Sequence, residues 1–277
     1  MEDLNILLKK FENSNKPISF PFANLEKADF QNFDFQNANL EGVIFRGANL
    51  DGANFEGANL KNADLRQSSL LGTSFKNANL SASQMQLSKG SNINFESADL
   101  TKVDCFDAEL FSSNFKKTNL SEANLQGLKA DDSNFEEVSF VSCNLRAASL
   151  KNCSLIKINE DINKNKSFLG KLLHKLSVGS SDKNVIISHA DFEGSNLIGA
   201  NLEKADATYT NFSNTKMNNV ILDDSNLFEA IFIDAILDGA SLKNCKLKNT
   251  NFTRASMKGV KLSGAKIDNA DFRGVQK

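Results

Sequence analysis

Two histidines, His174 and His189, are the only imidazoles in the chain, so acid–base or nucleophilic catalysis near neutral pH would most naturally be built around them. Neither stands at motif spacing from a nucleophile or a second ligand. His174 falls beside the apolar stripe of a helical segment, and His189 directly precedes the pentad ADFEG (190–194) at an expected outward corner. The pair is therefore not expected to bind metal. Four cysteines, Cys105, Cys143, Cys153 and Cys245, show no CxxC pairing and occupy positions held elsewhere by small or apolar residues, which predicts reduced thiols packed in a core. The many Asn and Asp residues recur at one spacing, yet the glycine-rich nonapeptide of calcium-binding β-rolls is absent. Their expected role is to hydrogen-bond turn backbone. No phosphate-binding GxxxxGK[ST] loop and no dinucleotide fingerprint occurs. The sequence thus predicts no catalytic residues, no metal site and no cofactor.

The elements that carry these residues follow a five-residue period. From Phe20 to Leu155 nearly every fifth residue is large and apolar, as in Phe20, Leu25, Phe30, Phe35, Leu40, Phe45 and Leu50. Gly90 and Ala130 leave gaps in the series, and Cys105 is a conservative change. A small residue usually stands two before the large one, and Asn, Asp or Ser usually stands between them. Such a period fits neither a helix of 3.6 residues per turn nor an alternating strand. A square coil satisfies it, with four pentads per turn of about 20 residues and coils stacked at the strand spacing of about 4.8 Å. Composition agrees: 22 Phe, one Tyr, no Trp and two Pro mean that a few residue types recur in equivalent environments.

The repeats ANLEG (38–42), ANLDG (48–52), ANFEG (53–57), ANLKN (58–62) and ADLRQ (63–67) resemble the A(D/N)LXX signature of the pentapeptide-repeat family. The resemblance covers most of the chain. It implies an all-β fold, a right-handed quadrilateral β-helix.

A second series runs through Ile187, Phe192, Leu197, Leu202, Phe212 and onward to Phe272, two residues out of phase with the first. The expected organisation is an N-terminal capping helix over 1–17, a first array over 18–155, a loop–helix–loop insert over 156–184 and a second array over 185–277. Phe168, Leu169, Leu172, Leu173 and Leu176 give the insert helix its apolar face, and Leu4, Leu7, Leu8 and Phe11 do so for the cap. Continuous stacking of the two arrays is expected, with the insert looping out from a corner. The N-terminus lacks secretory features and no apolar run approaches about 20 residues, so a cytoplasmic protein without membrane spans is expected.

Function should then lie where outward positions depart from polar residues. In the first array Leu71, Leu87, Phe106 and Phe111 do so, and in the second Tyr209, Ile221, Phe228, Ile231, Ile233 and Ile236. Exposed apolar patches mark contact surfaces. The expected function is a scaffold that binds another protein of unknown identity, or a second copy of the chain as a homodimer. The alternative is a DNA-mimicking modulator of a type II topoisomerase, an activity that the family resemblance brings into view. Residues 1–155 carry 15 Lys and Arg against 20 Asp and Glu, a net of −5. Duplex DNA as long as seven such coils, about 34 Å, carries roughly 20 negative charges. Direct nucleic-acid binding is not expected from a chain of net charge −2.

Overall fold

The computed structural model describes residues 18–140, 143–153 and 186–277. The expected cap helix over 1–17 and the insert with Phe168, Leu169, Leu172, Leu173, Leu176 and His174 lie outside these residues.

One pentad, Ala53 to Gly57, explains the local conformation, because all five of its N–H groups find acceptors. Phe55, the central residue, donates to Ser74 O at 2.7 Å, and Gly57 donates to Lys76 O at 2.9 Å, both in the next coil. Asn54 donates back to Phe33 O at 2.9 Å in the preceding coil, while Ala53 closes the turn by donating to Leu50 O at 3.0 Å. The remaining donor, Glu56 N–H, reaches Asn54 Oδ1 at 3.1 Å. The same side-chain bond recurs at Asn24, Asp29, Asp34, Asn94 and many equivalent positions. Asn or Asp before the central residue therefore caps its own turn, as the sequence predicts. The second turn residue has positive φ throughout, as a type II turn requires, and Gly, Asn or Asp holds that position most cheaply.

Parallel bridges join residues 20 apart: Ser19 to Asn39, Asn24 to Ile44, Asp29 to Asn49 and Asp34 to Asn54, then the same four sites in each following coil. Four bridge sites separated by four turns make a four-sided coil. Among the described residues only two segments pair over three residues, β1 (Lys89–Ser91) and β2 (Glu109–Phe111). We number the faces by their central residues: first through Leu40 and Leu60, second through Phe45 and Leu65, third through Leu50 and Leu70, fourth through Phe55 and Phe75.

The central side chains fill the interior. On the fourth face the rings of Phe35, Phe55, Phe75, Phe95, Phe115 and Phe135 form a stack with centroids 4.6–5.3 Å apart. Those distances are the coil spacing expressed in side chains. Burial of each ring contributes about 1.5–3 kcal/mol, and each stacked pair adds about 0.5–1.5 kcal/mol. A second stack, Phe192, Phe212, Phe232, Phe252 and Phe272, continues on the third face. Hydroxyls and thiols at the small position bind the coil below: Thr73 Oγ1 donates to Leu50 O at 2.8 Å and Cys245 Sγ to Leu222 O at 2.9 Å.

Gly90 and Ala130 do not interrupt the core. A Cβ on Gly90 would lie 2.7 Å from the Leu70 backbone and 3.1 Å from Ile93 Cδ1. Ile93 is a large residue at a normally small position, fully buried, and it fills the space that Gly90 vacates. Ala130 has a buried large residue, Leu128, at the small position of its own pentad. Volume is conserved locally while its assignment to positions is not.

Residues 143–153 stack directly on residues 186–196. Asn144 bridges Ile186 and Ser149 bridges Asp191, while Leu150 donates to Asp191 O at 2.7 Å and Asn196 to Cys153 O at 3.0 Å. Partners here are 42 residues apart instead of 20. The surplus is four pentads and two residues, which is the physical origin of the phase shift.

Candidate interaction surface

Each pentad presents three side chains outward: the residue before the centre and the two turn residues. Along one face they form columns that repeat every 20 residues. Phe106 is the first turn residue on the second face, and Leu87 is the second turn residue at the following corner. Leu71 and Phe111 share a column on the third face, with Ser91 between them. Leu71, Leu87 and Phe106 are exposed and Phe111 is half-buried. An ion ladder runs between the two strips: Lys89 Nζ lies 3.3 Å and Lys129 Nζ 3.0 Å from the Glu109 carboxylate. Hydrogen bonds from these two ammonium groups hold the Glu109 carboxyl below its ordinary range. The apolar residues of the first array thus form two strips divided by charge.

In the second array His189 and Tyr209 occupy one corner column on successive coils, and their rings stack at 4.7 Å with an interplanar angle of 12°. Phe228 meets Tyr209 edge to face at 5.5 Å and 83°. Phe228, Ile231 and Ile233 lie half-buried on the adjoining second and third faces of one coil. Ile236 looks out from the fourth face of that coil, and Ile221 from its first face. The belt therefore encircles the rod, and its part joined by ring contacts is the corner of His189, Tyr209 and Phe228. Tyr209 is 44 % exposed at φ +59°, a left-handed turn position where Gly or Asn would be less strained, so the coil itself gains little from a tyrosine there.

Charge is distributed by the same columns. Arg46 pairs with Glu26, Lys116 with Glu136, Lys102 with Glu122 and Arg254 with Asp234, each one coil apart. The acidic group Asp131, Asp132, Glu136 and Glu137 is largely committed internally. Asp131 accepts from Ser149 Oγ and Lys151 N–H, Asp132 from Asn152 Nδ2, and Glu136 pairs with Lys116. Lys243, Lys246, Lys248, Lys261 and Lys266 are exposed and have no ion-pair partner among the described residues. They line the first and second faces above Phe228. The sequence shows a local excess of lysine from Lys243 onward but not which of these residues share a face. Their signal is the 20-residue spacing of Lys246 and Lys266, just as the spacing of His189 and Tyr209 signals the ring stack.

The four thiols are unpaired and buried. Burial pushes Cys143, Cys153 and Cys245 up from 9.0 to about 12 and Cys105 further still, so none is a ready nucleophile. Among the described residues no three His, Cys, Asp or Glu side chains come together to hold a metal, and no helix is long and apolar enough to cross a membrane.

Fold and surface together define a β-solenoid whose interior is repetitive and whose individuality lies in outward columns. The family model for pentapeptide repeats matches residues 23–62, 58–88, 91–127, 118–156, 186–224, 210–244 and 235–274, and the chain belongs to that family. Its coil is the family's right-handed β-helix, the hand strongly favoured for parallel crossovers. Among solved structures it is similar to HetL, a pentapeptide repeat protein involved in heterocyst differentiation regulation from the cyanobacterium Nostoc sp. strain PCC 7120. The identity is 19 %, over 99 % of this chain and 96 % of that one, with a TM-score of 0.48. Rfr23, from the cyanobacterium Cyanothece 51142, is 25 % identical over 47 % of this chain and 88 % of its own, with a TM-score of 0.38. Trypsin-treated QnrB1, a plasmid-mediated fluoroquinolone resistance protein, is 19 % identical over 91 % of this chain and 90 % of its own, with a TM-score of 0.34. No curated protein matches the sequence.

Proposed function

We propose that this chain is a non-catalytic, cytoplasmic scaffold that binds another protein through its outward columns. The observation that carries the reading is the corner formed by His189, Tyr209 and Phe228 with Ile231 and Ile233 beside it, an aromatic and aliphatic surface that the coil does not require. Raised thiol pKa values and a single described imidazole, itself stacked on Tyr209, support a role without chemistry. The partner is a different protein or a second copy of the chain.

The test is the double substitution Phe228→Asp and Ile231→Asp. Loss of partner capture, or of self-association measured by sedimentation, is expected while thermal stability stays near that of the parent. An unchanged oligomeric state, stability and partner capture would sink the reading. The alternative of a topoisomerase-directed DNA mimic needs a continuous anionic face, and the ion pairs one coil apart argue against such a face. Purified chain is expected to leave gyrase supercoiling and its inhibition by quinolones unchanged; inhibition or protection would reverse the ranking.

A further inference from the structure

We propose that the partner segment is acidic and carries apolar anchor side chains, and that it docks along the second face of the second array, with anchors on Tyr209 and Phe228 and carboxylates on Lys246, Lys248 and Lys266. This deepens the scaffold reading and rests on it.

Elsewhere this coil pairs its charges along columns. A cation is generally set one coil from a carboxylate in its column, as in Lys89, Glu109 and Lys129, or Asp234 and Arg254. Lys248 keeps that placement, with Asp268 one coil above it in its column though not ion-paired, but Lys246 and Lys266 break it. Lys246 and Lys266 are direct bridge partners, and like charges directly opposite on neighbouring strands destabilise the pair. Lys248 stands one coil above Phe228 in the same column, where the Glu229 N–H bonds the Lys248 carbonyl at 3.1 Å. Lys243 and Lys261 flank the patch on the adjoining first face, and Asp268 is the only carboxylate on these two faces of the last two coils. A concentration of unpaired ammonium groups that the fold does not use is complementary to carboxylates.

The apolar half of the surface adjoins it without a gap. Phe228 lies half-buried below Lys248, and Tyr209 lies below and beside Phe228 at 5.5 Å. A partner that satisfies the lysines can bury these rings in the same contact, and aromatic anchors beside charged rims are the usual anatomy of an interface. A single-stranded nucleic acid fits less well. Base stacking needs a free aromatic face, and Tyr209 already stacks on His189 and meets Phe228 edge to face.

The experiment is a selection of random dodecamer peptides displayed on phage against the immobilised full chain, followed by fluorescence polarisation with labelled copies of the enriched peptides and with a labelled oligothymidine. The expected result is enrichment of net-acidic peptides containing Phe, Leu or Trp. Their binding should fall about tenfold or more in a Lys246→Glu, Lys248→Glu, Lys266→Glu variant and in Phe228→Ala, and should weaken with added salt. A Lys→Gln version of the triple variant, with a melting curve matching the parent, guards against misfolding. Enrichment of neutral or basic peptides, or acidic peptides indifferent to these substitutions, overturns the proposal and leaves the scaffold reading intact. Tighter binding of the oligothymidine identifies a nucleic-acid surface and overturns it too. Failure to enrich any peptide, with no binding by either probe, counts against both the proposal and the scaffold reading.

Discussion

At the scale of the residue, the backbone of each turn needs one acceptor that the coil does not supply, and two kinds of side chain provide it. Usually Asn or Asp before the central residue accepts from the first turn N–H. Where Ser stands there, Asp in the coil below can replace it. Asp51 accepts from Ser69 Oγ at 2.6 Å and Leu71 N–H at 2.8 Å, and Asp131 and Asp238 serve Ser149 and Lys151, Ser256 and Lys258 alike. Asp51→Ala is expected to cost about 1–3 kcal/mol by leaving these donors without the carboxylate. Adding Ser69→Asn, which restores a local acceptor, should recover most of the lost melting temperature; no recovery would refute the substitution rule. The thiols make a second prediction. Their pKa values in the folded chain are raised, so the stability they contribute is fully present below about pH 9 and is lost as pH rises toward about 12. Melting curves across that window should fall more steeply for the parent than for Cys143→Ala, Cys153→Ala, Cys245→Ala together, since alanine is the usual occupant of those positions.

At the scale of the element, the pentad conserves interior volume more faithfully than it conserves position. Leu128 beside Ala130 exchanges the usual large and small assignments. Leu128→Ala is expected to cost about 2–4 kcal/mol through the cavity it leaves, and Ala130→Leu alone to cost about 1–3 kcal/mol through overpacking. The double variant should regain most of both losses. Additive losses in urea unfolding would show that the two side chains do not share one space. The regular register, the turn-capping role of Asn and Asp and the inward thiols were all readable from sequence. The two apparent gaps were not, because a residue's absence from one column shows nothing of a neighbour entering the same space.

At the scale of the molecule, the two arrays are one stack across residues 143–153 and 186–196, and partners there are 42 residues apart. Removing 22 residues, 158–179, from the intervening segment restores the 20-residue spacing. The shortened chain is expected to keep its β-rich circular dichroism and to melt within a few degrees of the parent. A large fall in melting temperature would show that the segment contributes to the stack. By itself the sequence determined the coil: a five-residue period places one large and one small side chain inward on each side, and repetition carries that local rule through the chain. Tertiary structure alone decided which outward residues meet. Side chains 20 or 42 residues apart become neighbours only through coil stacking, and the remainder left by the intervening segment sets which column continues into which. The His189–Tyr209–Phe228 corner and the lysines above it are products of that stacking. Expected outward positions such as Ile221 and Ile236 are separated from that corner because four sides of a coil face four directions.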